Sequence, residues 1–280
     1  FQGHPRGALS VSFSPKGQLL ATAGADGIAR LWNLNGQLLQ EFKGHKDAVR
    51  SVSFSPNEQF LATASEDMTA RLWNLKGQQL VLFKEHQQML RSVSFSPADG
   101  QRLATASEDG TARLWNLKGQ QLALAKGHSG GVMSMSFSPN GQRLVTGGYD
   151  GTVRLWNLKG EPLKKKLNTY QNHVMDVRFS PDGQRLATAG KDSTVRLWNL
   201  NGQQLAEFKG YTGRVWSLSF SPDGQHLATA GDGDMVRLLP VEGLDELLSR
   251  SCDWVRDYLK YNQQVSDSDR HLCDGIGTQK

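Results

Sequence analysis

The feature that most constrains this chain is a tryptophan that returns at nearly constant spacing. Trp32, Trp73, Trp115, Trp156 and Trp198 lie 41, 42, 41 and 42 residues apart, and Leu239 stands 41 residues after Trp198. A period of about 40 residues marks one small structural unit repeated, and such units bury apolar surface by stacking on their neighbours. Six units are visible, the last with Leu in place of Trp. Residues 45–84 show the content of one. Val49–Phe54 alternates as a strand does, and Ser55-Pro56-Asn57-Glu58 is a turn with proline preset at its second position. Residues 60–64 form a second strand, followed by the tight turn Glu66-Asp67-Met68. Residues 70–75 form a third, Lys76-Gly77 turns the chain, and residues 79–83 form a fourth. Four short antiparallel strands cannot cover both of their own faces. Set radially, each sheet covers the next, which is a β-propeller. The expected fold is all-β: six four-stranded blades over residues 1–242, the last incomplete.

The tail reads differently. Apolar residues at 244, 247, 248, 252, 255 and 259 follow helical spacing, so a helix is predicted near 244–260 within a helical tail over 243–280. Ser266-Asp-Ser-Asp269 has the form of a capping box. No fourth strand follows the third strand of the sixth unit. A bare sheet edge invites pairing, so an intact protein is expected to cover this one.

The wording of the repeats carries a resemblance. Residues 179–190 read Phe-Ser-Pro-Asp-Gly-Gln-Arg-Leu-Ala-Thr-Ala-Gly and residues 195–200 read Val-Arg-Leu-Trp-Asn-Leu. This resembles the WD-repeat family, and in particular the large repeat proteins of cyanobacteria. The family's Trp-Asp pair reads Trp-Asn in all five copies that keep the Trp. The resemblance implies that the outer strand of the last blade comes from the other end of the chain, so assembly with a missing N-terminal part of a longer chain is expected. It also implies a side-chain hydrogen-bond chain in each blade. Its members are His4, Thr22, Asp26 and Trp32 in blade one, and His45, Thr63, Asp67 and Trp73 in blade two. Blade three supplies His86, Thr105, Asp109 and Trp115, and blade four His128, Thr146, Asp150 and Trp156. Blade five places Tyr170 at the His position, and blade six reads Tyr211, Thr229, Gly233 and Leu239, with Asp232 and Asp234 beside the missing turn carboxylate. A His, Asp and Thr set also suits nucleophilic catalysis, but an active site is singular and this set recurs in four blades.

Comparing the units separates constant positions from varied ones. The residue five past each His or Tyr reads Leu9, Arg50, Arg91, Met133, Met175 and Trp216. The residue before the turn Asp reads Ala25, Glu66, Glu108, Tyr149, Lys191 and Asp232. The residue three past the His or Tyr reads Gly7, Ala48, Met89, Gly131, His173 and Arg214. The resemblance implies that these sets ring the channel mouth, where partners dock. Arg, Met, Trp and Tyr are also the types enriched at interfaces and hot spots. The expected partner-binding residues are Arg50, Arg91, Met133, Met175, Trp216, Met89, Tyr149, Lys191 and Arg214; the competing reading is drift at unconstrained loop positions. The constant Arg two before each Trp position reads as structural, and Lys164-Lys165-Lys166 as a solvated edge.

Composition excludes other classes. The net charge of +5 is modest for 280 residues, and no apolar run reaches the roughly 18 residues of a membrane span. Neither a phosphate-binding Gly-rich loop nor a nucleophile elbow occurs. Cys252 and Cys273 lack paired metal-ligand spacing, so no metal or cofactor is expected; reduced thiols in a cytoplasmic protein are the default reading, with a Cys252–Cys273 disulfide as the alternative. The expected function is a non-catalytic scaffold or sensor that binds a protein or peptide at the channel mouth. A propeller enzyme acting there, or a nucleic-acid-binding propeller, is the alternative.

Overall fold

A computed structural model describes residues 3–163, 167–169, 172–233 and 236–241, and in the tail residues 252, 255, 256, 258–261, 266, 269, 271, 273 and 274. Among the described residues the propeller is all-β, with six antiparallel sheets, five of four strands and one of three. In blade two the strands are Val49–Phe54, Phe60–Ser65, Ala70–Asn74 and Gln79–Phe83, hydrogen-bonded in that order. Among the described residues blade six contains Val215–Phe220, His226–Gly231 and Val236–Pro240; the expectation that no fourth strand follows from residue 243 onward falls outside the described residues. In blade four the described part of the fourth strand is Leu167–Asn168; the Lys164-Lys165-Lys166 run beside it lies outside the described residues.

Period-2 alternation gives every sheet two apolar faces, and the neighbours cover them. Ala21, Ala23, Ala29, Leu31 and Phe42 on one face of blade one meet Val49, Val52, Phe54, Leu61 and Trp73 on the facing side of blade two. The same pairing recurs between blades two and three, three and four, four and five, and five and six. Small Ala side chains on one sheet let the bulky Trp and Phe of the next approach closely, which gives core-like packing density. The first strand of each blade packs against the first strand of the next, so these strands are innermost.

The turns follow from backbone geometry. At the Ser-Pro turn Phe60 N–H donates to Ser55 Oγ at 2.9 Å and Ser55 N–H to the Phe60 carbonyl at 3.0 Å, closing the connection. The tight turn needs a left-handed residue: Gly27, Gly110 and Gly151 supply it, but blade two uses Met68 at φ 64°. A non-Gly residue there is strained, so the surrounding hydrogen bonds must hold it.

In the tail, residues 252, 255, 256 and 258–261 are helical, matching part of the expected helix; the rest of 244–260 lies outside the described residues. Asp269 N–H donates to Ser266 Oγ at 3.3 Å, the capping contact read from the sequence. Cys252 and Cys273 are joined as a disulfide with Cα atoms 5.4 Å apart. This corrects the expectation of reduced thiols, since separation in sequence hid a proximity that the tail's folding creates. No helix among the described residues is long and apolar enough to cross a membrane.

Candidate interaction site at the channel mouth

Antiparallel alternation sends the Ser-Pro and Lys-Gly turns to one end of each blade. The tight Asp turns and the blade-to-blade connections gather at the other. This second end is built on the polar chain. In blade two the Trp73 indole N–H donates to Thr63 Oγ1 at 2.9 Å, and Thr63 Oγ1 lies 2.8 Å from His45 Nε2. His45 Nδ1 is 2.9 Å from Asp67 Oδ2. Indole is a donor only, so the chain runs one way: Trp to Thr, Thr hydroxyl to Nε2, Nδ1–H to carboxylate, which assigns the tautomer. Asp67 also accepts from the Lys46 N–H at 3.0 Å and the Thr69 hydroxyl at 2.6 Å.

Blades one, three and four repeat it. His4, His86 and His128 reach Asp26, Asp109 and Asp150 at 2.9, 2.8 and 2.9 Å, and Thr22, Thr105 and Thr146 each at 2.8 Å. Trp32, Trp115 and Trp156 donate to those threonines at 2.8, 2.9 and 2.8 Å. Burial raises the Asp67, Asp109 and Asp150 carboxyls, but donated hydrogen bonds outweigh it and hold all three far below the usual carboxylate range. Burial pushes His45 below the ordinary imidazole value despite the opposing pull of Asp67. Blade five keeps Trp198 on Thr188 at 3.0 Å, while Tyr170 lies outside the described residues. In blade six the Tyr211 hydroxyl substitutes for the imidazole, 2.7 Å from Thr229 Oγ1, with the Arg237 guanidinium 4.4 Å over its ring. Asp232 does not replace the turn carboxylate, since it faces Trp216 instead, and Asp234 is outside the described residues.

Four of the constant arginines, Arg30, Arg71, Arg113 and Arg196, bond across to the fourth strand of their blade. Arg30 is buried, pairs with Asp26 at 2.6 Å and with Glu41 of the fourth strand at 2.9 Å, and Arg196 pairs with Glu207 at 2.8 Å. Arg71 and Arg113 instead reach Gln79 and Gln121 at 2.6 and 2.8 Å.

The three varied sets come together in every blade. The residue before the tight-turn position donates its N–H to the carbonyl of the residue three past the His or Tyr. Ala25, Glu66, Glu108, Tyr149, Lys191 and Asp232 do so to Gly7, Ala48, Met89, Gly131, His173 and Arg214, at 2.8–3.0 Å. The third set sits beside these pairs. Arg50 contacts Glu66, Arg91 contacts Glu108, and the Trp216 indole N–H donates to Asp232 at 2.6 Å. In all six blades the pairing register slips at this position, between Ala8 and Ser10, Val49 and Ser51, and at each equivalent. Leu9, Arg50, Arg91, Met133, Met175 and Trp216 are thus bulge residues, the one place in the first strand where ladder pairing does not dictate the side chain. Periodicity could not show this.

The sets differ in exposure. Lys191, Arg214 and Trp216 are exposed, while Arg50, Met89, Arg91, Met133 and Tyr149 are half-buried. Met175 is only 7% exposed, so it belongs to the packing beneath the rim and adds little to a binding surface. Tyr149 packs edge-on against His173 with ring centres 4.9 Å apart. Trp216 is 44% exposed, the Arg214 guanidinium lies 5.2 Å from its ring, and Asp232 is held below the usual carboxylate range by the indole and by the Arg214 N–H. One buried group escaped the sequence reading. Asp176, 3% exposed, stands where other blades have Ser, and accepts from the Ser134 hydroxyl at 2.5 Å and the Leu218 N–H at 2.8 Å, tying blades four, five and six. A single carboxylate in an otherwise constant serine column was the signal. Among the described residues no group of His, Cys, Asp and Glu is placed to hold a metal.

Known proteins agree with this architecture. A model of the family described as "IFT122 first beta-propeller" matches residues 1–257. The chain is also similar to a protein named "WD repeat-containing protein slr1409" from Synechocystis sp. (strain ATCC 27184 / PCC 6803 / Kazusa), 53% identical over 34 residues. That match covers 12% of this chain and 10% of the relative, so it spans a small part of the relative's length. WD-repeat propellers generally mediate protein interactions and are typically not enzymes. With six repeats folded as radial sheets and the family match running through all of them, the chain belongs to the WD-repeat β-propellers, in the family described as the IFT122 first propeller.

Proposed function

We propose that this propeller is a non-catalytic scaffold whose channel-mouth end binds a protein or peptide, with Trp216 as the main anchor. The observation that carries this reading is the bulge at the same first-strand position of every blade, where side chains change from Arg to Met to Trp while the surrounding frame stays constant. Bulges re-aim side chains, and in consecutive blades they do so toward one end. Trp216 is exposed yet held by Asp232 and Arg214, so little side-chain freedom is lost when a partner covers it. The Arg50–Glu66 and Arg91–Glu108 pairs fix cationic groups on the opposite part of the same rim. A ligand with an apolar side chain and an acidic group suits this arc. The cytoplasm is the proposed location.

Site-specific photo-crosslinking tests the face. A photoreactive phenylalanine at Tyr149 or Met89 is expected to crosslink partners in extracts of the source organism. The same group at Lys118, exposed at a turn of the opposite end, is expected not to. Crosslinks from Lys118 with none from the rim would place binding elsewhere.

A further inference from the structure

Between blades four and five a groove of about 640 Å³ opens at the turn end, opposite the channel mouth. Leu155 and Leu163 of blade four and Leu200 of blade five line it, with Arg143, Gln184 and Asn201 among its polar groups.

An insertion accounts for the opening. In blade two the fourth strand runs from Gln79, opposite Trp73, to Phe83, opposite Ala70, in four steps, and blades one, three and five keep that interval. In blade four the same interval, from Pro162 opposite Trp156 to Leu167 opposite Val153, takes five. The extra residue falls along the stretch that faces Arg154 and Leu155. Leu31, Leu72, Leu114 and Leu197, at the position of Leu155, are 0–4% exposed beside Gln40, Val81, Ala123 and Ala206. Leu155 is only half-buried.

Charge marks the same place. Arg102 and Arg185 pair with the carboxylates three residues before them, Asp99 and Asp182, each at 3.7 Å. Blade four has Asn140 at that position, and its side-chain oxygen accepts from the Ser138 hydroxyl at 2.7 Å and the Gln142 N–H at 3.1 Å. The Arg143 guanidinium is thus exposed at the groove with no carboxylate partner among the described residues. Asp182, which lines the groove from blade five, is taken up by Ser180, the Gln184 N–H and Arg185.

We infer that this groove is a second binding surface, for a short extended segment of a partner protein that carries an acidic residue beside a branched or aromatic apolar one. The acidic side chain pairs with Arg143, and the apolar one covers Leu155, Leu163 and Leu200. The side-chain amides of Gln184 and Asn201 each offer a donor and an acceptor, which a peptide backbone matches and a simple carboxylic acid does not. A segment this short buries less than a standard interface, so the contact is weak and quickly reversed. This surface is separate from the mouth and stands whether or not the mouth binds.

The test uses the full chain and an array of acetylated, amidated hexapeptides that set Asp or Glu next to Ile, Leu, Val or Phe. Matched arrays carry Asn or Gln, or Lys, in place of the acid. The wild type is expected to retain acidic peptides over their amide counterparts. For the strongest of them Arg143→Gln is expected to weaken binding by about tenfold, the worth of one charge-assisted hydrogen bond. Asn140→Asp gives Arg143 the internal partner that Arg102 and Arg185 already have, and is expected to weaken binding in the same direction with the melt unchanged. Arg143→Glu is expected to turn the preference toward the Lys array, which a purely structural role would not produce. Lys118→Ala, at a turn of blade three outside the groove, is expected to bind as the wild type does. A photoreactive leucine at the apolar position of the best peptide is expected to crosslink within residues 155–163 or 199–201. Equal retention of the acidic and amide arrays, or undiminished binding by both Arg143→Gln and Asn140→Asp, would overturn the inference. So would crosslinks at Tyr149 or Trp216, which place the peptides at the mouth, or isocaproate bound as tightly as the peptides, which makes a small apolar acid the occupant.

Discussion

Blade two and blade six follow one sequence pattern and differ in how much of it the neighbourhood completes. Blade two has a fourth strand, a sheet on either side, and an unbroken line from Trp73 through Thr63 and His45 to Asp67. Among the described residues, blade six has three strands, one neighbour and a truncated line of Tyr211 and Thr229. Its third strand is exposed at Val236 and Leu238 where that of blade two is buried at Ala70 and Leu72. The repeat thus specifies the sheet, but burial by neighbours and completion of the polar line make it rigid. In blade six the released constraint coincides with the most exposed aromatic of the mouth, Trp216.

The largest expected effect comes from the indole. Trp73 is 1% exposed, so Trp73→Ala is expected to destabilise by about 3–5 kcal/mol through a cavity and the lost donor to Thr63. Leu239→Ala, at the same position of blade six, is expected to lose clearly less in the same denaturant titration. Equal losses would break the contrast between the blades.

Next comes the carboxylate. Asp67→Ala leaves the His45 Nδ1–H and the Lys46 N–H without their acceptor, an expected loss of about 1–3 kcal/mol. Asp109→Ala and Asp150→Ala are expected to match it, while Asp232→Ala leaves the melting temperature nearly unchanged. The same network sets a pH dependence. His45 is held below its ordinary value of 6.5, so below that pH the unfolded chain takes up a proton that the folded blade refuses. Stability then falls as pH drops from 6.5 toward the lowered value. Asp67, depressed from 3.8, contributes fully above that value, and its share is lost only as pH falls further. Hydrogen exchange corrected for intrinsic rates is expected to show blade two losing protection below pH 6.5 and blade six, with Tyr211 in place of His, responding less.

The smallest effect sharpens the contrast within the strong blades. Glu41 and Glu207 stand opposite Arg30 and Arg196, but Leu82 stands opposite Arg71, whose buried Nε has no hydrogen-bond partner. Leu82→Glu is expected to stabilise by a few tenths to about 1 kcal/mol, with the gain shrinking in high salt. A loss of stability would mean that the apolar contact of Leu82 outweighs the pair.

Much of this was legible in the chain because the repeat states it six times. The tryptophan period and the alternation of Val49–Phe54 lead to radial sheets, and the recurrence of His45, Thr63 and Asp67 in other blades points to the hydrogen-bonded line that each of them forms. What stayed hidden depended on three-dimensional context. Met175 shares its column with Trp216, but its burial comes from packing around blade five that no spacing encodes. The bulge that frees this column is a register slip, invisible to a period-2 reading. The disulfide joins residues 21 apart, and only the fold of the tail brings them together.

The most direct measurement sets the frame against the rim. Partner capture by immobilised protein from extracts of the source organism should be compared for wild type, Asp67→Ala, Trp216→Ala and Lys118→Ala, each at a temperature where its melt shows it folded. Asp67→Ala should melt lower yet capture the same partners. Trp216→Ala should melt as the wild type does and lose them, since removing a central aromatic anchor costs about 2 kcal/mol or more of binding, and Lys118→Ala should retain both properties. Undiminished capture by Trp216→Ala, with the rim intact and the melt unchanged, would contradict binding at the channel mouth.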